Sequence, residues 1–424
     1  MRNLHAGGFP EEAVRERARR GPAALFPPDA DYGATVTGAG AEPTAGTGYP
    51  ADDPLEGARL VPPVFMPERL EKLIDLGREP LFADVDLRTD IGGFASALPL
   101  YVSAFGSTQV GSGLALAAAG QAGRLGVPMV IGENVAPVSG YRADASVLRR
   151  LEAYEAQVPD GVGGVVVQQS TEDADAEVWN QVYSDPAVTR LVESGRLGFE
   201  LKVGQGGKPG LGGMTMVGDD AGGRLADRYD VSASLGGEGG LCLRSSSPGT
   251  FTEEILHQQI RFMRNNFPRA RVWAKLPPGR DIAQVVRVAW AAGADSVTVD
   301  GAEGGTGWAP SVFLSRVGLP LGECLRRIGS PGGCLLVSGR MWEAGRAVVA
   351  LALGARAVGL GRAALVAVDE DSEQGLVRLV EALAMEARLL VSALGRYSTA
   401  ALSPDDVLLP GTADAPAATV LSEP

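Results

Sequence analysis

Two lysines bracket a glycine-rich turn in the stretch from Phe199 to Gly213, FELKVGQGGKPGLGG. Lys202 closes an apolar, strand-like run, and Lys208 lies in the loop six residues on, beside Pro209 and Gly210. A loop of this kind lets backbone N–H groups and an ammonium approach an anion closely. The same pattern also suits a solvated surface loop, and only its surroundings separate the two. A second strand-like run, RVWAKL, carries Lys275 near its end. A strand-end lysine is costly to bury without an anion beside it. Two later runs end in Ser338-Gly339-Arg340 and in Gly361-Arg362, with one helical stretch between them. Backbone N–H groups at such strand ends, backed by a helix N-terminus, suit a phosphate dianion. In the loop Gly301 to Gly307 (GAEGGTG), Gly304 and Gly305 offer bare backbone to a flat ligand. Glu303 in that loop is either an acid/base group or a loop carboxylate, the second being preferred.

These groups sit where apolar runs stop. Strands are predicted over 99–103, 127–132, 164–168, 199–203, 271–276, 295–300, 333–338 and 355–360. Helical patterns lie between and after them, at 113–126, 144–157, 177–194 with a break at Asp185-Pro186, 251–265, 281–292, 342–353 and 371–394. Eight such units predict an α/β fold, a (β/α)8 TIM barrel over residues 80–396. Residues 1–79 are expected to form an irregular N-terminal extension with one short helix, and 397–424 a tail. An open doubly wound sheet is the rival, but no GxGxxG follows the first strand. In a barrel the C-terminal strand ends form the working face. That face gathers Ser103, Gln168, Lys202, Lys275, Ser338 and Arg362 from separate strands.

The 38 basic and 51 acidic residues leave a net charge of −13, which argues against nucleic acid or an anionic membrane as partner. Any anion site must therefore be local. Cys242, Cys324 and Cys334 lack metal-type spacing, so no metal site is expected. His5 and His257 are the two histidines, and His257 falls in a helical pattern that suits a structural role. No apolar leader or membrane-length apolar run is visible, and a cytoplasmic protein is expected.

The segments SAFGSTQVGSG…GENV, QGGKPGLGG and VDGAEGGTGWAP occur in this order and together resemble the FMN-binding synthase domain of the glutamate synthase family. The family pattern is approximately IKxxQGxKPGxGG followed by SxxDGGTGxxP, and the likeness runs from about Pro80 to Val368. It implies FMN contacts from Ser103, Ala104, Gln168, Lys202, Lys275, Ser338, Gly339, Arg340, Gly361 and Arg362. It also assigns Lys208 and Arg228 to a substrate carboxylate and Glu133 to proton transfer.

The departures are equally specific. Met214 stands where the family has glutamine, removing one polar contact to the substrate. The family's GEGG is Gly132-Glu133-Asn134-Val135 here, and Arg244-Ser245-Ser246-Ser247-Pro248 replaces a segment with two histidines. Arg244 thus adds a cation for substrate. No cysteine follows Cys334, so no iron–sulfur cluster is expected, and there is no N-terminal catalytic cysteine for releasing ammonia from glutamine. The resemblance implies an FMN-dependent oxidoreductase acting on an amino-acid-derived carboxylate. Its electrons would pass to or from NAD(P)H, a reductase partner or O₂, and a homo-oligomer is compatible with the sequence. Two other readings stay open: a non-catalytic FMN-binding or scaffold subunit, and another FMN barrel such as a flavin-dependent isomerase or a 2-hydroxy-acid oxidase. The last usually takes a histidine base after a late strand, and none stands there.

Overall fold

The computed structural model describes residues 4–25, 53–106, 109–132, 147–170, 176–203, 215–218, 223, 226, 230–233, 241–245, 251–305 and 316–410. Eight parallel strands close into a barrel. They are β1 (Leu100–Phe105), β2 (Met129–Ile131), β3 (Val165–Ser170), β4 (Leu197–Lys202), β5 (Arg271–Leu276), β6 (Ser296–Asp300), β7 (Leu335–Ser338) and β8 (Ala357–Leu360). β8 pairs with β1 to complete the ring, Gly359 lying opposite Tyr101. All eight coincide with the strands expected from the apolar runs. Valine-rich stretches such as Val165–Val167 are buried on both faces, as a parallel sheet covered by helices requires.

The outer helices are α1 (Gln109–Leu125), α2 (Val147–Glu155), α3 (Ala176–Ser184), α4 (Glu253–Asn266), α5 (Ile282–Ala291), α6 (Leu321–Ile328), α7 (Ala344–Ala352), α8 (Arg362–Glu370) and α9 (Gly375–Ala393). The Thr252 hydroxyl caps α4 by accepting from the Ile255 N–H at 3.2 Å, and Glu253 and Glu254 fill its positive first turn. Between β4 and α4 lies an excursion containing a three-stranded antiparallel sheet, Thr215–Gly218, Leu241–Ser245 and Asp230–Ala233 in spatial order.

One end of the barrel is plugged. A hairpin, Thr89–Ile91 with Phe94–Ser96, turns through Gly92 and Gly93 at φ 56° and 92°. Two consecutive positive φ values at a two-residue turn are why glycine occupies both positions. The turn drives Ile91 and Phe94 into the barrel floor, where the Phe94 ring lies 5.6 Å from the Trp273 ring. Trp273 Nε1 donates to the Gly92 carbonyl at 3.0 Å, so the one polar atom of a fully buried indole is satisfied.

Order begins well before Pro80. The helix Glu11–Arg20 buries Val14 and Ala18 and packs on α8 and α9. Its buried Arg15 pairs with Asp369 at 2.9 Å and Glu370 at 3.1 Å. Leu55 joins the main core, and Arg59–Leu60 pairs antiparallel with Val407–Leu408. These contacts run to residues 369–370 and 407–408, so no local pattern marks them. In contrast, the helix Pro67–Leu76 buries none of its residues, leaving Leu70 and Ile74 exposed.

Because Phe94 fills the barrel floor, Phe94→Ala should lower the unfolding free energy by about 3–5 kcal/mol. Urea unfolding measures this, and a loss below about 1 kcal/mol would show that the floor collapses around the gap.

Candidate active site

Side chains alternate along a strand, so every second residue enters the barrel. Above the apolar floor this rule brings Gln168, Glu200, Lys275, Thr298, Asp300 and Ser338 together from β3, β4, β5, β6 and β7. Lys275 Nζ lies 2.8 Å from Asp300 Oδ2. The Ser338 hydroxyl donates to Asp300 Oδ1. One layer lower, Glu200 Oε2 accepts from Gln168 Nε2 at 2.5 Å and Oε1 from the Thr298 hydroxyl at 2.9 Å. Glu200 is fully buried; burial pushes its carboxyl up, and the Lys275 charge pulls it down. Lys202 ends β4 half-buried, opposite Lys275 and Ser170 in the strand register.

Ser103 and Ala104 lie where the register between β1 and β2 shifts, between Val102 and Phe105. The Ser103 hydroxyl is buried beside the Tyr101 hydroxyl. Gly359 makes room for it, since a Cβ there would stand 2.3 Å from Ser103 Oγ. A hydroxyl can rotate to donate to a bound cofactor at this strand end.

The strand ends of β7 and β8 form a cationic corner. Arg340 has φ 55°, the one non-glycine residue at positive φ among the described residues. Such strain persists where surrounding structure enforces it and clusters at ligand sites. Gly361, which has no side chain to cap it, precedes α8, and backbone N–H groups at such a helix start suit an anion. Burial and the neighbouring Arg340 charge push the Arg362 guanidinium down to about 10. Arg362 Nη2 donates to the Glu303 carbonyl at 2.5 Å, and the guanidinium stacks 4.6 Å from the Phe9 ring. Arg340 Nη1 donates to the Gly8 carbonyl at 2.6 Å, and its Nε lies 3.3 Å from Glu56. The N-terminal segment therefore walls this corner. Two like charges, partly desolvated beside an uncapped helix start, fit a phosphate dianion.

Glu303 is the loop carboxylate. Its side chain is 3% exposed and is held by Arg346 Nη2 and by the Leu321 N–H at 3.2 Å. Arg346 Nη1 also pairs with Asp53 at 2.6 Å and Glu56 at 2.7 Å, while Asp53 accepts from the Gly322 N–H at 3.2 Å. This cluster ties residues 53–56 to the β6 loop and to α7. Gly304 donates to the Gly301 carbonyl at 2.9 Å, and Gly305 sits exposed beside the Arg362 side chain.

Glu133, Lys208, Met214 and Arg228 lie outside the described residues, as does the side chain of Arg244. The Arg244 backbone pairs with Thr215 and Val231. The sequence places Asp300 on the working face, with the loop through Gly307, but gives it no role, and it leaves Glu200 and Arg346 unmarked. Asp300 and Glu200 could have been found from strand alternation, because each lies two residues from another inward polar group. Nothing local marks Arg346, whose three carboxylate partners are distant in the chain. Arg150 was also missed. It is fully buried on α2 and donates through Nη1 to the Phe105 carbonyl at 3.0 Å, and burial pushes its guanidinium down to about 10.

The family described as conserved region in glutamate synthase matches residues 141–372. The archaeal-type glutamate synthase [NADPH] of Dehalococcoides mccartyi is 33% identical over 187 residues, covering 42% of this chain and 36% of that protein. The glutamate synthase large subunit-like protein of Rhizobium meliloti is 33% identical over 184 residues, covering 41% and 40%. The archaeal glutamate synthase [NADPH] of Methanocaldococcus jannaschii is 30% identical over 207 residues, covering 44% and 39%. The chain thus spans well under half the length of these relatives. The fold is shared with the (S)-mandelate dehydrogenase of Pseudomonas putida, in a soluble mutant form (TM-score 0.55, 20% identity, 94% and 99% of the two chains). It is also shared with a flavocytochrome b2 mutant with pyruvate bound (TM-score 0.55, 20% identity, 86% and 80%).

Burial pushes Glu56 up to about 7 despite Arg346 and Arg340. Folding therefore takes up a proton at Glu56 between its ordinary value and about 7. Its contribution to stability is complete on the acid side and is lost as pH rises through that window. Glu56→Gln should flatten the fall in stability across this range, measured by urea unfolding at several pH values. An unchanged slope would place the proton uptake elsewhere.

Proposed function

The chain belongs to the glutamate synthase family, and from that premise we propose that it is an FMN-dependent oxidoreductase acting on an amino-acid-derived carboxylate at a CH–NH or related bond. The observation that carries this reading is the set of groups at the barrel mouth. The buried Ser103 hydroxyl, the Lys275–Asp300 pair and the cationic corner of Arg340 and Arg362 stand on one face. Bound FMN supplies two-electron exchange with a carbon or nitrogen centre of the substrate.

The residues would divide the work by chemistry. The N–H groups around Gly339 and Gly361, with Arg340 and Arg362, hold the phosphate. Ser103, Ala104 and Gln168 orient the ring system, and Gly304 and Gly305 let backbone lie close to it. Lys202 and Lys275 place positive charge where negative charge accumulates on reduction. Lys208 and Arg228 bind the substrate carboxylate, with Arg244 as an added cation and Met214 as a further substrate contact. Glu133 moves a proton. With Met214 in place of the family's glutamine, a substrate other than unmodified 2-oxoglutarate is favoured, in keeping with specialised metabolism. NAD(P)H or a reductase is the electron partner, and the chain carries no iron–sulfur cluster of its own.

A 2-hydroxy-acid oxidase shares the barrel, but neither His5, in the N-terminal segment, nor His257, on α4, follows a late barrel strand. A scaffold role would leave the Lys275–Asp300 pair at the mouth without purpose.

The test is anaerobic mixing of the FMN-loaded chain with NADPH, NADH and a panel of amino acids. At least one should bleach the visible flavin band. Lys208→Met should abolish bleaching by the carboxylate substrate by about 100-fold or more while FMN stays bound, in line with losing a charged contact of about 3 kcal/mol. A flavin that stays oxidised with every donor would contradict the enzyme reading.

A further inference from the structure

We propose that Asp300 is a positioning residue that holds the Lys275 ammonium at the barrel mouth and offsets its charge, and so sets how strongly the site favours reduced over oxidised flavin. This inference rests on the FMN reading. Three successive strands supply the parts: Lys275 on β5, Asp300 on β6 and Ser338 on β7. The strand register makes Asp300 and Ser338 direct neighbours and sets Lys275 beside Thr298, two residues below Asp300. One carboxylate thus serves two donors, Oδ2 taking the ammonium at 2.8 Å and Oδ1 the Ser338 hydroxyl. With both oxygens engaged, the carboxylate cannot rotate away without losing a bond. The Lys275 side chain is 12% exposed and that of Asp300 is 28% exposed, so both meet the mouth rather than the closed floor.

The arrangement has a definite electrostatic sense. A bound flavin gains negative charge when reduced, and an adjacent cation favours that state. A carboxylate on the same ammonium weakens the preference, because the pair presents less net positive charge than the lysine alone. Glu200 lies one layer beneath, within reach of the same lysine, and adds in the same direction. Asp300 is separate from the Arg346 cluster, where Asp53, Glu56 and Glu303 share another cation. The two acidic groups therefore do different things. One fastens the N-terminal segment, and the other regulates a lysine that faces the ligand.

The experiment is the midpoint potential of FMN bound to the full chain, with FMN affinity measured separately by fluorescence titration. Asp300→Asn keeps the shape and removes the charge. It should favour reduced flavin about tenfold, a rise of about 30 mV for a two-electron couple. Ser338→Ala frees one carboxylate oxygen and should move the potential in the same direction by less. It also supports the comparison if Asp300→Asn fails to fold. Lys275→Met should move the potential down. FMN binding with a wild-type or lower potential in both Asp300→Asn and Ser338→Ala would overturn the inference and leave the FMN reading standing. A wild-type chain that takes up no FMN would overturn both.

Discussion

A closed barrel has one interior, and a charge placed inside it must find its partner there. This constraint organises the upper half of the molecule. Lys275 is matched by Asp300, and Glu200 by the amide of Gln168 and the hydroxyl of Thr298. The lower half admits no such groups because Phe94, Ile91 and Trp273 close it with apolar bulk. Among the described residues the interior charges thereby lie toward the strand ends, the face on which barrel enzymes build their sites. Removing one partner of such a pair leaves a partly desolvated charge uncompensated. The side chains of the polar layer therefore depend on one another, whether or not a ligand is bound.

The same rule explains the N-terminal segment. Arg346 could not be buried on α7 without anions, and Asp53, Glu56 and Glu303 supply them. Two of these come from residues 53–56, which fastens the extension against the barrel. Phe9 and the Gly8 carbonyl then reach Arg362 and Arg340. A region that reads as an appendage is part of the wall around the cationic corner. The three acids against one arginine leave Glu56 with more burial than pairing, which is why its carboxyl is pushed up.

The barrel is legible in the sequence because each strand is a short apolar run with a polar residue or glycine at its end. Lys202, Lys275 and Ser338 are legible for the same reason. Glu303 carries the opposite lesson: a carboxylate in a glycine loop suits catalysis or anchoring equally until its partner is known, and Arg346 lies 43 residues further on. Asp300, at the end of DSVTVD, is legible as part of the working face, but its pairing shows only when the neighbouring strands are aligned. Contacts of the N-terminal helix were invisible for a different reason. Arg15 is bound by acids more than 350 positions away, a pairing that no local pattern encodes.

Purified chain, stripped of cofactor and titrated with FMN, tests the central claim most directly. The account predicts one flavin per chain, with a protein-shifted visible spectrum and quenched fluorescence, and weaker uptake of riboflavin, which lacks the phosphate for Arg340 and Arg362. A flavin spectrum that remains that of the free molecule at all protein concentrations would contradict it.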